Sequence, residues 1–258
     1  MSLRVYVFSD NRLPTQSVGG HGLGRLAHLT AEVLLDLGFT VTIWGSPGTE
    51  PALSNRKWSA VRTYQFEDEA RESIRADLRE RVVDFVIDMT HEHVLGKTDF
   101  DLPILHYIVD TECAYKPPNA VVCNAWQAQF FPGARILMPP VNDKMISFYS
   151  APAEPLYLAY AAKIDHRKGY DIALEIHRRQ SIPVHFVGDG VALENESVFW
   201  RRELLGRKFY DFIGLAGVLL SPSRLDAGGL VNLEAGACGT PVLVLENTGP
   251  AAYVEHGV

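Results

Sequence analysis

The segment SPSRLDAGGLVNLEAGACG concentrates groups that suit the binding of a phosphorylated sugar. Asp226 lies in a loop after an apolar run, and Gly228-Gly229 precede a helical segment. That segment begins near Leu230 and carries Glu234 one turn in. Glycines expose the first N–H groups of such a helix, which attract anions, and carboxylates accept hydrogen bonds from sugar hydroxyls. The alternative interpretation makes Asp226 a turn residue and Glu234 a solvated helix position.

Two lysines bracket another strand-to-helix loop, in the segment AYAAKIDHRKGYD. Lys163 follows a predicted strand and Lys168 precedes a helical segment, so the two side chains could clamp a diphosphate. The next predicted strand ends in VGDG, where Gly188 lets a ligand approach the backbone and Asp189 follows. Each feature alone has a plainer interpretation, a solvated charge run for the lysines and a common turn for VGDG.

A glycine-rich stretch, SVGGHGLGRLAHL, opens the first helical segment. Gly22, Gly24 and Ala27 fit the dinucleotide-binding pattern G-x-G-x-x-A. The context argues against an NAD-dependent oxidoreductase, because a long loop follows the first strand and no acidic residue ends the second strand. We therefore interpret Gly19-Gly20 as a mobile lip that closes on a phosphate, with Arg25 as a further ligand of that phosphate. A plain turn before a helix is the alternative.

A pair of histidines in THEHVLG raises the question of a metal ion. His91 and His93 are two residues apart, and in an extended segment both imidazoles would face the same way, as metal ligands do. No third ligand is evident in the sequence. The sequence therefore predicts no metal site.

Short strands have to position these groups, because apolar runs of four to six residues alternate with amphipathic segments along the chain. Such alternation predicts parallel sheets with both faces covered by helices. The predicted strands are Leu3–Phe8, Thr40–Trp44, Val61–Tyr64, Asp84–Asp88, Ile104–Val109, Ala120–Cys123, Arg135–Met138, Leu156–Ala161, Val184–Val187, Val218–Leu220 and Val242–Leu245. The predicted helices are Arg25–Leu37, Asp68–Arg81, Tyr170–Arg179 and Leu230–Cys238.

The region after VGDG fits this pattern poorly, because a parallel crossover needs about a dozen residues or more. A strand at Ser197–Trp200 is either not a parallel neighbour of the preceding strand or follows an irregular loop. We predict a strand at Val198–Trp200 and a helix through Leu204–Leu215.

The segment Ser147–Leu156 is the predicted domain boundary, because it carries two prolines and little periodicity. The sequence thus predicts an α/β protein with two doubly wound Rossmann-like domains, residues 1–150 and 151–258, facing each other across a cleft. Ligands of such sheets bind beyond the carboxyl ends of the strands. The second domain is predicted to be shortened.

Composition limits the classes of function. The 258 residues carry a net charge of −7, with 47% hydrophobic and 21% charged residues. This charge argues against a general nucleic-acid binder, because phosphate neutralisation needs a clustered basic surface. No apolar run reaches the roughly 18 residues of a membrane span. Three widely spaced cysteines are typical of free thiols in a reducing compartment. We expect a cytoplasmic protein, and a peripheral membrane contact stays possible.

Taken in order, the three clusters resemble the retaining nucleotide-sugar glycosyltransferases of the GT-B fold, the large family with an E-x7-E motif. The marks of that family are a Gly-Gly loop before the first helix, a basic pair around Lys-Gly, a Gly-Asp-Gly turn and two acidic residues separated by seven others. Here the acidic pair is Asp226 and Glu234, followed by AGACGTPV. The resemblance covers most of the chain.

The resemblance implies transfer of a sugar from a UDP- or GDP-sugar with retained configuration, and no required metal or other cofactor. Lys163 and Lys168 would hold the donor diphosphate, Glu234 the ribose, and Asp226 would lie near the transferred sugar. Gly19-Gly20 would close on the phosphates. Cations and helix N-termini stabilise the leaving diphosphate, and carboxylates help an oxocarbenium-like sugar centre. The acceptor is an unknown glycan, lipid or small molecule.

The sequence departs from the family pattern at several positions. Asp226 stands where the family usually has Glu, and Lys163 follows Ala where the family usually has Gly-Arg. Val109 replaces a histidine that often precedes the acidic residue, here Asp110. His106 is a candidate substitute, although strand alternation places His106 and Val109 on opposite faces. Asp226, His106 and Asp110 are thus the catalytic candidates. The alternative function is an inactive relative that binds nucleotide or glycan.

Overall fold

The structure is a computed structural model that describes residues 2–9, 22–47, 49, 60–64, 67–80, 82–91, 93–97, 100–111, 115–154, 156–180, 182–191, 193 and 199–256. The chain divides into two compact units. The first unit comprises residues 1–123 and 128–140, and the second comprises residues 124–127 and 141–258. None of the helices in the described part of the chain has the length and apolarity needed to cross a bilayer.

The first unit is built on one parallel sheet of seven strands in the order β3-β2-β1-β4-β5-β6-β7. The described helices of this unit are α1 (Gly22–Asp36) and α2 (Glu67–Arg79), with a 3-10 turn at Val94–Lys97. The strands are β1 (Arg4–Phe8), β2 (Thr40–Gly45), β3 (Ala60–Thr63), β4 (Phe85–Asp88), β5 (Ile104–Ile108), β6 (Ala120–Val122) and β7 (Arg135–Ile136).

The second unit has a parallel sheet of five strands in the order β10-β9-β8-β11-β12. Its strands are β8 (Leu158–Ala161), β9 (Val184–Val187), β10 (Phe199–Arg201), β11 (Val218–Ser221) and β12 (Val242–Val244). Its helices are α3 (Ala125–Ala128), α4 (Tyr170–Arg179), α5 (Arg207–Gly214) and α6 (Leu230–Cys238), with 3-10 turns at His166–Lys168 and Pro250–Tyr253.

The predicted α/β class and the two parallel sheets are confirmed. Every predicted strand is present, with ends that differ from the prediction by two residues or fewer. The strand predicted at Val198–Trp200 is β10, and it pairs in parallel with β9 after a connection through residues 188–198. The strands are apolar because both faces are covered, and β1 illustrates this because Val5 and Tyr6, which lie on opposite faces, are both buried.

Both sheets contain a point at which the strand order reverses. In the first sheet this switch point lies between β1 and β4, and in the second it lies between β8 and β11. The chain leaves such neighbouring strands toward opposite sides, which opens a crevice at their carboxyl ends where ligands bind. The loops that follow these four strands are therefore the first places to look for a site.

One short segment of the first half of the sequence belongs to the second unit. Asn124 donates from Nδ2 to the carbonyl oxygens of Ala227 and Gly249, at 2.8 and 3.2 Å. Its Oδ1 accepts a hydrogen bond from the N–H of Gln127 at 2.9 Å and so caps α3. Asn124 is buried, and its amide fixes the backbone of two loops of the second unit.

Candidate functional site

Two loops meet at the switch point of the second sheet, one after β8 and one after β11. Lys168, on the first loop, donates a hydrogen bond from Nζ to Oδ2 of Asp226 on the second. The other carboxylate oxygen of Asp226 accepts from the N–H of Gly228 at 3.3 Å. The structure thus joins two residues that the sequence predicted to act together, at the edge where a ligand is expected.

The loop after β8 is held by side chains of its own unit. The hydroxyl of the fully buried Tyr160 donates to the carbonyl oxygens of Lys163 and Lys168, at 2.9 and 3.2 Å. Oδ1 of Asp165 accepts from the N–H of Lys168 at 2.9 Å. These bonds fix the backbone that carries both lysines.

Gly169 permits the loop after β11 to pack closely against the loop after β8. Its φ is +72°, and a Cβ at this position would lie 2.0 Å from the carbonyl oxygen of Pro222. A side chain is therefore excluded both by backbone conformation and by space. The Lys-Gly pair of the sequence reflects this packing as well as the charge of Lys168.

Arg224 is an exposed residue of the loop after β11, and its hydrogen bonds link this loop to the loop after β8. Its guanidinium donates to both carboxylate oxygens of Asp171 at 2.7 Å, and to the carbonyl oxygen of His166 at 2.7 Å. The N–H of Arg224 also donates to the carbonyl oxygen of Arg167 at 2.7 Å. Hydrogen bonding to Arg224 lowers the pKa of Asp171 below its ordinary value.

The remaining predicted residues of these loops differ in exposure. The Lys163 side chain is 68% exposed, and its Nζ lies 4.0 Å from Oδ2 of Asp165, so it can reach a ligand. Gly188 packs onto the loop after β8, since a Cβ there would lie 1.8 Å from the carbonyl oxygen of Ala162. Asp189 is exposed and accepts from Nε of Arg202 at 2.7 Å, which lowers its pKa.

The N-terminus of α6 closely follows Asp226 in the sequence. Gly229 is its cap residue, with φ +63° and no side-chain cap, and Leu230 is the first helical residue. In the same turn Asn232 is buried, and neither its Nδ2 nor its Oδ1 has a hydrogen-bond partner among the described residues. The sequence reasoning missed Asn232, although it is the one polar residue in the first turn LVN.

Glu234 lies inside the second unit. It is 1% exposed, and its Oε1 accepts a hydrogen bond at 3.3 Å from the hydroxyl of Tyr210 on α5. The charge of Glu234 adds to burial in raising the pKa of the Cys238 thiol to about 11. The role of Glu234 at a ribose stays a prediction.

In the first unit, three buried side chains meet at the carboxyl end of β4. Asp88 is the last residue of β4 and the register partner of His106 on β5. Nδ1 of His106 lies 3.7 Å from Oδ2 of Asp88, and Nδ1 of His93 lies 3.9 Å from Oδ1. Burial lowers the pKa of His106 to about 4, so its imidazole is neutral near pH 7.

The other first-unit candidates lie near this edge or outside the described residues. Asp110 follows β5, and its Oδ2 forms a hydrogen bond with Nδ1 of His91. Arg25 lies in the first turn of α1 and is partly buried. Gly19 and Gly20, the predicted lip, lie outside the described residues.

A comparison with protein families finds one match, and it lies in the second unit. Residues 142–258 match the family of glycosyl transferases group 1, and this match includes Lys168, Asp226 and Glu234. We call this matched region the group 1 domain, after the family that it resembles. A sequence search of curated proteins finds no match to the chain.

Solved structures show that the group 1 domain and the first unit together have a known fold. The chain is similar to AviGT4, a glycosyltransferase involved in avilamycin A biosynthesis, with TM-score 0.68 and 19% identity over 96% of this chain and 80% of that one. Sucrose-phosphate synthase from Thermosynechococcus elongatus is similar with TM-score 0.71 and 16% identity, over 94% of this chain and 81% of that one. The pneumococcal O-GlcNAc transferase GtfA, solved with UDP and GlcNAc, is similar with TM-score 0.51 and 14% identity. That match covers 71% of this chain and 47% of GtfA.

These neighbours have the GT-B fold, so the predicted resemblance to GT-B glycosyltransferases and the predicted fold class are confirmed. The E-x7-E motif and the retained configuration stay predictions. The chain is shorter than the neighbours that it matches along nearly its whole length. The match of the group 1 domain supports glycosyl transfer in general and does not favour the inactive alternative.

Proposed function

We propose that the chain transfers a sugar, with retained anomeric configuration, from a nucleotide-diphosphate sugar to an acceptor, without a metal ion at the diphosphate. The observation that carries this proposal is the Lys168–Asp226 pair at the switch point of the group 1 domain. The pair joins a cation and a carboxylate, which are the groups that a leaving diphosphate and a developing oxocarbenium ion require.

Lys168 and the first turn of α6 supply positive charge at this point. In the free protein Asp226 neutralises the ammonium group of Lys168, and an incoming diphosphate would compete for that ammonium group. The exposed Lys163 adds a second cation from the same loop. The N–H groups of Gly229 and Leu230 follow on the other loop and favour an anion, while the N–H of Gly228 holds Asp226.

Once the diphosphate binds Lys168, the carboxylate of Asp226 is released from that ammonium group. The N–H of Gly228 still holds its other oxygen, and the carboxylate can face the sugar that the diphosphate carries. It can then stabilise positive charge at the anomeric carbon as the bond to the diphosphate breaks. Gly188 keeps the neighbouring loop close, and Asp189 remains at the surface with Arg202.

Two buried polar residues of α6 complete the proposed donor site. Glu234 is oriented by Tyr210 and would accept hydrogen bonds from ribose hydroxyls. Asn232 carries an amide without partners among the described residues, and a donor oxygen or hydroxyl would satisfy it.

The nucleotide proposed is UDP or GDP, and the structure of GtfA with UDP and GlcNAc shows that a similar fold binds a uridine nucleotide. The acceptor proposed is a glycan, a lipid or a small molecule, approached from the first unit with Asp110 and His106 as candidate residues. A cytoplasmic location, with or without peripheral membrane contact, is part of the proposal. The free thiols of Cys123 and Cys238 support a reducing compartment.

A panel of UDP- and GDP-sugars, incubated with the protein in buffer without Mg²⁺ or Mn²⁺, tests this proposal. We expect release of nucleotide diphosphate from at least one donor, and a loss of about 100-fold in Lys168→Ala, as for removal of one transition-state charge contact. Lys208→Ala, an exposed lysine on α5, is the matched control and should keep the rate.

Equal rates in Lys168→Ala and the parent protein would contradict the proposal. Calorimetry with UDP and GDP separates the alternatives, since nucleotide binding without turnover of any donor favours the binding-only function. An absence of binding for both nucleotides contradicts both functions.

A further inference from the structure

Asp88, His93 and His106 form a cluster, here called the Asp-His-His cluster, that the donor site does not use. It belongs to the first unit, beside the switch point between β1 and β4. The three side chains are 0%, 1% and 2% exposed. One potential ligand atom from each residue lies within 4.8 Å of the others.

The geometry of the cluster suits an ion at its centre. Each carboxylate oxygen of Asp88 faces one imidazole Nδ1, at 3.7 Å for His106 and 3.9 Å for His93. Both separations are too long for hydrogen bonds. Ligands about 2.0–2.1 Å from a tetrahedral ion are roughly 3.4 Å apart, so small rotations bring these atoms to coordination distance.

His106 provides independent evidence. Its Nδ1 is buried and has no hydrogen-bond partner among the described residues, so its lone pair or proton is unsatisfied without a further group. The opposite side of the ring is packed tightly, because a Cβ on Gly96 would lie 2.6 Å from Cε1 and 2.8 Å from Nε2 of His106. The hydroxyl of Tyr115 donates to the carbonyl oxygen of Gly96 and so helps to hold Gly96 against this side of the ring.

Asp88 and His93 are held in place by the backbone around them. Oδ1 of Asp88 accepts from the N–H and hydroxyl of Thr90, at 3.0 and 2.6 Å, and Oδ2 accepts from the N–H of Leu95 at 3.4 Å. Such outer hydrogen bonds orient a carboxylate ligand. His93 adopts a φ of +47°, which is uncommon for a residue with a side chain and is often kept for function.

We propose that the Asp-His-His cluster binds one divalent transition-metal ion, Zn²⁺ best of all. Two imidazoles and a carboxylate are a common Zn²⁺ ligand set, and they leave a fourth position for water or another ligand. Ca²⁺ and Mg²⁺ fit less well because they prefer oxygen ligands. The ion ties β4, the following turn and β5 together. The sequence predicted no metal here, and this proposal replaces that prediction.

The experiment uses the full chain without a histidine tag, produced in zinc-supplemented medium and freed of loosely bound metal by gel filtration. Zinc per chain is measured by inductively coupled plasma mass spectrometry. We expect about one zinc in the parent protein and in His91→Gln, the matched control, whose imidazole contacts Asp110 instead. We expect less than about 0.2 zinc in His93→Gln and His106→Gln.

A second measurement uses only the parent protein, so it does not depend on whether a variant folds. Co²⁺ added to the metal-stripped parent protein should produce a tetrahedral visible absorption band that Zn²⁺ abolishes, and Zn²⁺ should raise the melting temperature. A zinc content below about 0.1 with no cobalt band overturns the proposal. Equal zinc in the parent protein, His93→Gln and His106→Gln also overturns it. Zinc content and the cobalt band are measured without a sugar donor, so a failure of this proposal is distinguishable from a failure of donor turnover.

Discussion

The ammonium group of Lys168 and the carboxylate of Asp226 bind each other across the switch point of the second sheet, although 57 residues separate them in the sequence. The pair is partly buried, with side chains 26% and 16% exposed. Its two members have opposite charges and would contact different parts of a nucleotide sugar. Their substitution should therefore separate donor binding from turnover.

Asp226→Asn should lower kcat by about 100-fold while UDP or GDP binds as tightly as before or more tightly. The reason is that Asn removes the charge that competes with the diphosphate for Lys168. Lys168→Ala should weaken binding and turnover together. Calorimetry and initial rates measure the two effects. A parallel loss of nucleotide affinity in Asp226→Asn would contradict this division of roles.

Asn232→Leu should raise the free energy of unfolding by about 1–2 kcal/mol while donor binding weakens. The leucine has a similar shape and removes a buried amide whose polar atoms lack partners among the described residues. Urea unfolding and nucleotide calorimetry, run on the same samples, check the prediction. Leu233→Met, a swap of similar volume in the same helix, serves as the control. A destabilised Asn232→Leu would mean that the amide is satisfied in the free protein.

Gly169→Ala should destabilise the protein by about 2 kcal/mol or more, because φ is +72° and the new Cβ would meet the carbonyl oxygen of Pro222. Gly236→Ala is the matched control, since it lies within α6 with open space around its Cβ position. There alanine should stabilise by about 0.5–1 kcal/mol. Urea midpoints compare the two variants. Similar midpoints would contradict the tight packing at Gly169.

Asp171 should add stability that depends on pH, through its bidentate contact with Arg224. Its pKa is lowered in the folded state, so this stability is fully present above about pH 4 and is lost as pH falls through the lowered pKa. The side chains of the pair are about one third exposed, so we expect the ion pair to contribute no more than about 1 kcal/mol to the free energy of unfolding.

Melting temperatures of the parent protein and Asp171→Asn test this sign. The gap between them should shrink as the pH falls below about pH 4. A gap that widens below about pH 4 would refute the assignment.

Much of the fold was predictable because covered parallel strands are short, apolar and separated by helices. Every strand of the second unit, from Leu158–Ala161 to Val242–Val244, falls within two residues of an apolar run in the sequence. The sequence could also predict that Lys168 and Asp226 lie close together, because the loops that follow parallel strands lie at the same edge of a sheet. The relation between the two units and the roles of the predicted donor residues stay predictions.

Features that depend on neighbours in the sheet could not be predicted from spacing. His93 suggested a metal ion but no third ligand was visible, because Asp88 and His106 become neighbours only through the pairing of β4 with β5. For Glu234 the sequence left a ribose ligand and a solvated helix position as alternatives, and it could not show that the packing of α5 places Tyr210 against this carboxylate. Asn232 was missed because a single polar residue in a helical segment does not by itself indicate a binding site or a buried position.

The amide of Asn124 restricts how such proteins exchange halves by recombination. A single crossover near residue 140 would bring in residues 141–258 from another chain but leave behind residues 124–127, which also belong to the second unit. The incoming carbonyl groups at the positions of Ala227 and Gly249 would then rely on the host chain for their hydrogen-bond donor. Productive hybrids should therefore come from parents that both keep an asparagine at this position, so an inherited four-residue segment limits which second units can be combined with a given first unit.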